Sequence, residues 1–245
     1  MKVRLRIQCT KAPDRCQNAQ GSVIIPDKRL PAPKHRGIAI GLPSQHIKPQ
    51  GGFALSNTML PPRQKAWEIL NQYTKNPSLV KHGLAVEAVM RAIAEEHHED
   101  PDLFGMVGLL HDFDYEMFPE IGQHTIEGGK ILTQEGFPPR VVEAIRSHVT
   151  ENQIPRDGLL EKAIFAADEL TGFVVAVTLV RPEKSLSEVA PRSVMKKLKD
   201  KGFARGVNRA DVYDGVQGLG VELDSFIEFI VNALKPHAGE LGLNP

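Results

Sequence analysis

Six residues of metal-binding type occur in stretches of the sequence that are otherwise apolar. They are His82, His111, Asp112, His124, His148 and Asp168. Asp168 lies within AIFAADELTGF and the pair His111-Asp112 ends GMVGLLHD, so both stretches are predicted to be buried. A buried carboxylate is costly unless it is paired or binds a metal. Imidazole nitrogens and carboxylate oxygens without thiolates suit Fe, Mn, Co or Zn at a site with open positions, and they argue against a closed structural zinc site.

Each of these residues has a plainer interpretation when it is taken alone. A single histidine on an apolar helix face is most often a satisfied core or surface residue, and one His-Asp dipeptide is a weak signal. Their order is more informative, because histidine, His-Asp, histidine, histidine and aspartate fall on five separate helical segments. The order therefore predicts one site assembled from distant parts of the chain.

Helical patterns account for the sequence from about residue 61 onward. Asn76-Pro77 and Asp100-Pro101 are helix start signals, in which a capping side chain precedes a proline at the first helical position. No run of alternating apolar and polar residues indicates strands. The predicted fold class is all-α, as one compact multi-helix domain over residues 59–245 without internal repeats.

The predicted helices carry the six residues at intervals along this domain. A first segment runs from Pro61-Pro62 to Lys75, a long helix after Asn76-Pro77 carries His82, and the helix after Asp100-Pro101 leads to His111. A helix near His124 to Gln134 follows, then one opened by Pro138-Pro139 that leads to His148, and a long central helix over 157–180 that contains Asp168. Three shorter helices are predicted near 191–200, 209–218 and 222–235.

Residues 1–58 differ from the rest in charge and in proline content. Residues 1–50 hold 10 Lys/Arg against 2 Asp/Glu and contain 6 prolines, whereas the whole chain has a formal net charge of zero. This composition without helical or strand periodicity predicts a basic, mostly disordered extension. Two alternatives stay open: an arm that binds nucleic acid or another surface, and a true start at Met59, which would make the extension an artefact of start assignment.

Several protein classes are excluded by composition. No apolar run reaches the roughly 18 residues of a membrane span, and the first residues lack the apolar region of a secretory signal. Cys9 and Cys16 are too few for a disulfide framework. We therefore expect a cytoplasmic protein with no membrane partner.

The ordered set of His82, His111-Asp112 and Asp168 resembles the signature of the HD superfamily of metal-dependent phosphohydrolases. The stretches HTIEGGKIL and AIRSH, which contain His124 and His148, are similar to the HDIG-like branch of that superfamily. The resemblance covers roughly residues 61 to 180. The chain departs from the branch where HDFDYE replaces the His-Asp-x-Gly-Lys form, and no Gly-Tyr-Pro element follows His124, which argues against hydrolysis of cyclic dinucleotides.

The resemblance implies a fold, a metal centre and an activity. His82, His111, Asp112 and Asp168 would hold one divalent transition-metal ion, and Asp112 would bridge to a second ion bound by His124 and His148. If those two histidines face solvent instead, the centre has one ion. The implied reaction is hydrolysis of a phosphate ester or anhydride by metal-bound hydroxide, with Asp112 as the catalytic residue and a nucleotide or related small phosphorylated molecule as the substrate.

Basic residues beyond the central helix are candidates for phosphate binding. Residues 181–209 contain nine Lys/Arg against three acids, and Arg181 and Lys184 come first among them. Our hypothesis is that these two contact the substrate phosphate; the alternative is a solvated basic surface. Asp114, Glu116 and Glu120 are interpreted as ordinary loop acids, with orientation of a histidine or of water as the alternative; Glu127 is a second candidate partner of His124.

Two other functions compete with hydrolysis. The first is a non-catalytic signalling or ligand-binding module that retains the HD fold, although such a module has no need of all six ligand-type residues. The second is nucleic-acid binding through the basic extension, which lacks interleaved aromatic residues and any recognisable module. The sequence favours the phosphohydrolase.

Overall fold

The structure, a computed structural model, describes residues 59–245, and within them it is built from helices. The helices are α1 (Arg63–Tyr73), α2 (Pro77–His97), α3 (Pro101–Leu110), α4 (Ile126–Gln134), α5 (Pro139–Ser147), α6 (Leu159–Leu179), α7 (Pro191–Leu198), α8 (Arg209–Leu219), α9 (Leu223–Leu234) and α10 (Ala238–Leu241). Over the same residues the backbone forms no strand, only a single isolated bridge between Ser185 and Asn244. The all-α prediction is confirmed, while the prediction for residues 1–58 lies outside the described residues.

The two helices that begin with a capping residue and a proline start where the sequence predicts. The Asn76 side chain accepts a hydrogen bond from the Ser78 N–H at 2.9 Å, and Asp100 Oδ1 accepts one from the Asp102 N–H at the same distance. The prolines that follow occupy the first helical position, where a backbone N–H would have no helical partner. Both caps fix the starts of the helices that deliver His82 and His111.

Helices α2 and α3 approach each other closely because glycines lie at their contact. A Cβ atom on Gly108 would lie 2.9 Å from the Glu87 Cα, and one on Gly83 would lie 2.9 Å from the Leu109 carbonyl oxygen. Real side chains do not tolerate such distances, so both positions require glycine at this spacing. The close approach brings the rings of His82 and His111 to a centroid distance of 4.9 Å.

Helix α6 is the centre of the domain. Of its 21 residues 15 are buried, and it packs against α2, α5, α8 and α9. Asp168 lies in its middle, among residues such as Phe165 and Leu170 that are buried in the core. Among residues 59–245 no helix is both long enough and apolar enough to cross a membrane.

The prediction of a helix starting near His124 is wrong by two residues. Helix α4 begins at Ile126, and His124 lies in the turns that connect it to α3. The residue between them, Thr125, has a φ of 62°, in the left-handed region that β-branched residues rarely adopt. The helix cannot extend back through that conformation, so His124 is held by the connecting loop rather than by a helix face.

Candidate metal centre

The six predicted residues lie together at one buried site. Their ligand-type atoms form two groups, and within each group the atoms lie within 4.8 Å of one another. The first group comprises His82, His111, Asp112 and Asp168, and the second comprises Asp112, His124 and His148. Asp112 belongs to both groups.

Asp168 is the centre of the first group. Its Oδ1 lies 3.0 Å from Nε2 of His82 and 3.3 Å from Nε2 of His111. The same two ring nitrogens lie 3.1 Å from each other. The group thus comes from positions within α2 and α6 and from the end of α3.

Asp112 Oδ1 is the centre of the second group. It lies 3.1 Å from Nε2 of His124 and 3.3 Å from Nε2 of His148, and these two nitrogens are 3.4 Å apart. Asp112 Oδ2 faces the other way and lies 3.6 Å from Nε2 of His111. The alternative in which His124 and His148 face solvent is not what the structure has, since both are buried beside Asp112.

His111 and His148 are presented in the same manner from the ends of two helices. Each is the residue that follows the last helical position, of α3 and α5 respectively. The His111 Nδ1–H donates to the Gly108 carbonyl at 2.8 Å, and the His148 Nδ1–H donates to the Ile145 carbonyl at 2.6 Å. Because a carbonyl only accepts, the proton of each neutral ring is on Nδ1 and the lone pair of Nε2 points into the site.

His124 is held by a carboxylate instead of a carbonyl. Its Nδ1 lies 3.0 Å from Asp114 Oδ1, at hydrogen-bonding distance though off the ideal line of a ring N–H bond. Asp114 is fully buried, and its interpretation as an ordinary loop acid is wrong. The sequence signal for its burial was its position between Phe113 and Tyr115, because aromatic neighbours are unusual in a solvated loop.

Comparison with known families finds a similarity over part of the chain. Residues 79–172 match the family model described as HD domain. Over this span the chain is similar to an HD domain. The matched span begins within α2 and ends within α6, and it contains all six residues of the two groups. No curated protein and no solved structure matches the chain.

The electrostatics of the site favour positive charge. Burial lowers the pKa of His111, but the charges of Asp112 and Asp168 outweigh burial and raise it to about 9. Burial likewise lowers the pKa of His124, and its contacts with Asp112 and Asp114 raise it more. Burial raises the pKa of Asp168, yet the charge of His111 holds that pKa well below its usual range. The carboxylates of the site thus stabilise cations beside them.

The donor atoms of the site fit divalent metal ions. Three of the four histidines have Nδ1 turned to an acceptor, which leaves Nε2 free to ligate. The donors are imidazole nitrogens and carboxylate oxygens, a set that suits Fe, Mn, Co or Zn. The crowding of ring nitrogens against one another at 3.1–3.4 Å is explained if a cation lies between them.

The remaining predicted residues lie apart from the two groups. Glu127 Oε1 is 2.7 Å from Lys130 Nζ, and Glu116 Oε2 accepts from the backbone N–H of Lys75 and Asn76. Glu120 is exposed. Glu127 thus forms an ion pair within α4, and its role as a partner of His124 stays a prediction.

Arg181 and Lys184 follow the end of α6, away from Asp168. The helix from Asp168 to its last residue, Leu179, extends roughly 16 Å at 1.5 Å per residue. The Arg181 Nη2 donates to Ser193 Oγ at 2.9 Å, and its side chain lines a cavity of about 350 Å³ beside α7. Lys184 is exposed. A role of either residue in substrate binding stays a prediction.

Proposed function

We propose that this HD domain hydrolyses phosphate esters or anhydrides with two divalent metal ions. The observation that carries the proposal is the position of Asp112, whose Oδ1 faces His124 and His148 while its Oδ2 faces His111. A carboxylate between two sets of nitrogen donors is the arrangement expected of a bridging ligand. The HD domain match supports the same class of activity.

Bound divalent ions would supply a nucleophile from water near neutral pH and would neutralise charge on the phosphate. The chain's own residues would balance the charge of the ions and orient the ligands. Asp112 and Asp168 balance the positive charge, and the Nδ1 hydrogen bonds of His111 and His148 keep their rings in one orientation. Because both rings are fully buried, water is excluded from behind the site.

The proposed route of the substrate is the side on which His82 lies. Side chains are 17% exposed at His82, 14% at Asp112 and 10% at Asp168, whereas His111 and His148 have no exposed side-chain surface. Beside His82, Gly172 carries no side chain: a Cβ there would make an ordinary contact at 3.4 Å with the His82 ring and would meet no other described group outside its own helix backbone within 4 Å. We propose that the phosphate enters at His82 and that the leaving group passes over Gly172.

The proposed substrates are small phosphorylated molecules, with nucleotides as the first class to test. Metal-free full-length protein would be given Mn²⁺, Fe²⁺, Co²⁺ or Zn²⁺ and a panel of nucleoside phosphates and p-nitrophenyl esters. We expect turnover with at least one ion, loss of turnover with a chelator, and recovery when the ion is restored. Turnover that ignores the chelator would contradict the proposal.

A matched pair of variants assigns the turnover to this site. Asp168→Asn should lower kcat by about a thousandfold or more, because it removes a charge from the metal centre. Asp102→Asn is the control, since Asp102 is an exposed acid that pairs with Arg91 on the surface. Metal binding without turnover of any ester would favour the alternative, a non-catalytic ligand-binding module.

A further inference from the structure

We propose that Asp114 is a positioning residue for the second metal ion, because it fixes both the tautomer and the direction of the His124 ring. The inference rests on the proposed function, in that His124 is one of the ligands of that ion. Asp114 is a member of neither ligand group and contacts the second group through His124.

The Asp114 carboxylate divides its two oxygens between the ring and the backbone. Oδ1 lies 3.0 Å from His124 Nδ1, a close contact off the line of a ring N–H bond, and among the described residues neither atom forms a regular hydrogen bond. Oδ2 accepts from the Thr125 N–H at 2.8 Å and from the Gly128 N–H at 3.0 Å. Three contacts therefore hold one carboxylate whose side chain is only 1% exposed.

The carboxylate determines which ring nitrogen carries the proton. An ionised carboxylate only accepts hydrogen bonds, so Nδ1 of a neutral ring must be the protonated nitrogen. The lone pair is then on Nε2, which lies 3.1 Å from Asp112 Oδ1 and 3.4 Å from His148 Nε2. Asp114 thus does for His124 what backbone carbonyls do for the two other buried histidines.

The same carboxylate shapes the backbone that carries His124. A Cβ on Gly128 would lie 2.5 Å from Asp114 Oδ2, so glycine is required for the carboxylate to reach the first turn of α4. Thr125 holds its left-handed φ of 62° with its N–H bound to Asp114 and its Oγ1 bound to Asn152 at 2.8 Å. The negative charge also lies at the positive end of the α4 dipole.

Asp114→Asn separates the ring contact from the backbone contacts. The asparagine oxygen can still accept from Thr125 and Gly128, which would leave the fold intact. Its amide would then face Nδ1 of His124 with a donor, so Nδ1 would become the acceptor and the proton would move to Nε2. A protonated Nε2 cannot bind a metal, and the second ion would be weakened while the first is retained.

The experiment compares wild type, Asp114→Asn and Glu116→Gln as full-length, metal-free proteins titrated with Co²⁺ in a calorimeter. Glu116 is the matched control, because this acid of the same loop also accepts from two backbone N–H groups, at 2.8 and 2.9 Å, but belongs to neither ligand group. In Asp114→Asn we expect the dissociation constant of the second ion to rise about 10- to 100-fold, with the first unchanged. Glu116→Gln should bind both ions as wild type does.

Ring ¹⁵N chemical shifts of His124 in the metal-free proteins give a second readout that a merely structural role would not move. Above the raised pKa of His124, where the ring is neutral, we expect Nδ1–H in wild type and Nε2–H in Asp114→Asn. The same tautomer in both, or an unchanged second dissociation constant, would overturn the inference. If wild type binds no ion, the proposed function fails while the NMR measurement still decides the role of Asp114. If Asp114→Asn does not fold, the measurement on wild type decides by itself. An Nε2–H tautomer of His124 in wild type would overturn the inference.

Discussion

The Nε2 atoms of His82 and His111 lie 3.1 Å apart, although the two residues are separated by 29 positions in the sequence. Both atoms also lie within 3.3 Å of Asp168 Oδ1. One proton or one cation must mediate between two ring nitrogens at this distance, since two lone pairs repel each other. A divalent cation satisfies both rings and the carboxylate at once.

The two groups of ligands should lose their ions independently. His82→Ala removes a donor from the first group only, and His148→Ala removes one from the second only. We expect each variant to retain one ion per chain where wild type binds two, as measured by elemental analysis after dialysis. His97→Ala, on the same helix as His82 but at its half-exposed end, is the control and should retain both. Loss of both ions in each variant would indicate a single inseparable centre.

The stability of the metal-free protein should fall as the pH rises from about 6.5 to 9. The pKa of His111 is raised from its ordinary 6.5 to about 9 in the folded protein. Its contribution to the free energy of unfolding is therefore fully present below pH 6.5 and is lost as the pH rises through 9. The loss is up to about 3 kcal/mol, from 1.36 kcal/mol for each pKa unit. Asp168, whose pKa is lowered, acts in the opposite sense and loses its contribution only as the pH falls below about 4.

Urea unfolding of the metal-free protein at pH 5.5, 7 and 9 measures this dependence. Metal affinity should change in the opposite direction and tighten towards pH 9, because the ion displaces the proton of His111. A free energy of unfolding that stays constant or rises between pH 6.5 and 9 would show that His111 is not charged in the metal-free fold.

Gly172 should control the size of the leaving group. Gly172→Leu would fill the open space beside His82, so we expect kcat/KM to fall by about tenfold or more for bulky nucleoside esters and less for small esters. Gly172→Ala is the control, since its Cβ makes only an ordinary 3.4 Å contact with the His82 ring. Metal content should equal that of wild type in both variants. Equal losses for large and small esters would place the entrance elsewhere.

Glycine at the contact of α2 and α3 should be needed for stability. Gly108→Ala forces a Cβ to 2.9 Å from the backbone of Glu87, which we expect to cost about 1–3 kcal/mol of the free energy of unfolding. Gly218→Ala in α8 is the control: no group lies within 4 Å of its Cβ position, and alanine should stabilise that helix by up to about 1 kcal/mol. Thermal or urea unfolding compares them. Equal changes in the free energy of unfolding in the two variants would mean that α2 and α3 can move apart without loss of stability.

Local signals were sufficient to predict most helices. Asn76-Pro77 and Asp100-Pro101 predicted the starts of α2 and α3, because a cap and a proline act within a few residues of each other. The six candidate ligands were predicted from their apolar surroundings, which are local, and from their order along residues 82–168, and the structure brings them together.

What the sequence did not predict depends on contacts between distant residues. The loop position of His124 follows from the bond between the Thr125 N–H and Asp114, which lie 11 residues apart. The glycine contact between α2 and α3 joins residues from two helices, so neither glycine stands out in its own segment. Arg181 likewise follows the Asp168 helix directly in sequence, but the length of that helix separates the two in space.

Metal content of wild type and Asp112→Ala tests the central claim most directly. Full-length proteins would be loaded with Mn²⁺ or Fe²⁺, dialysed and analysed for metal per chain. We predict two ions in wild type and at most one in Asp112→Ala, because Asp112 belongs to both ligand groups. Two ions in the variant, or none in wild type after loading, would contradict a binuclear centre bridged by Asp112.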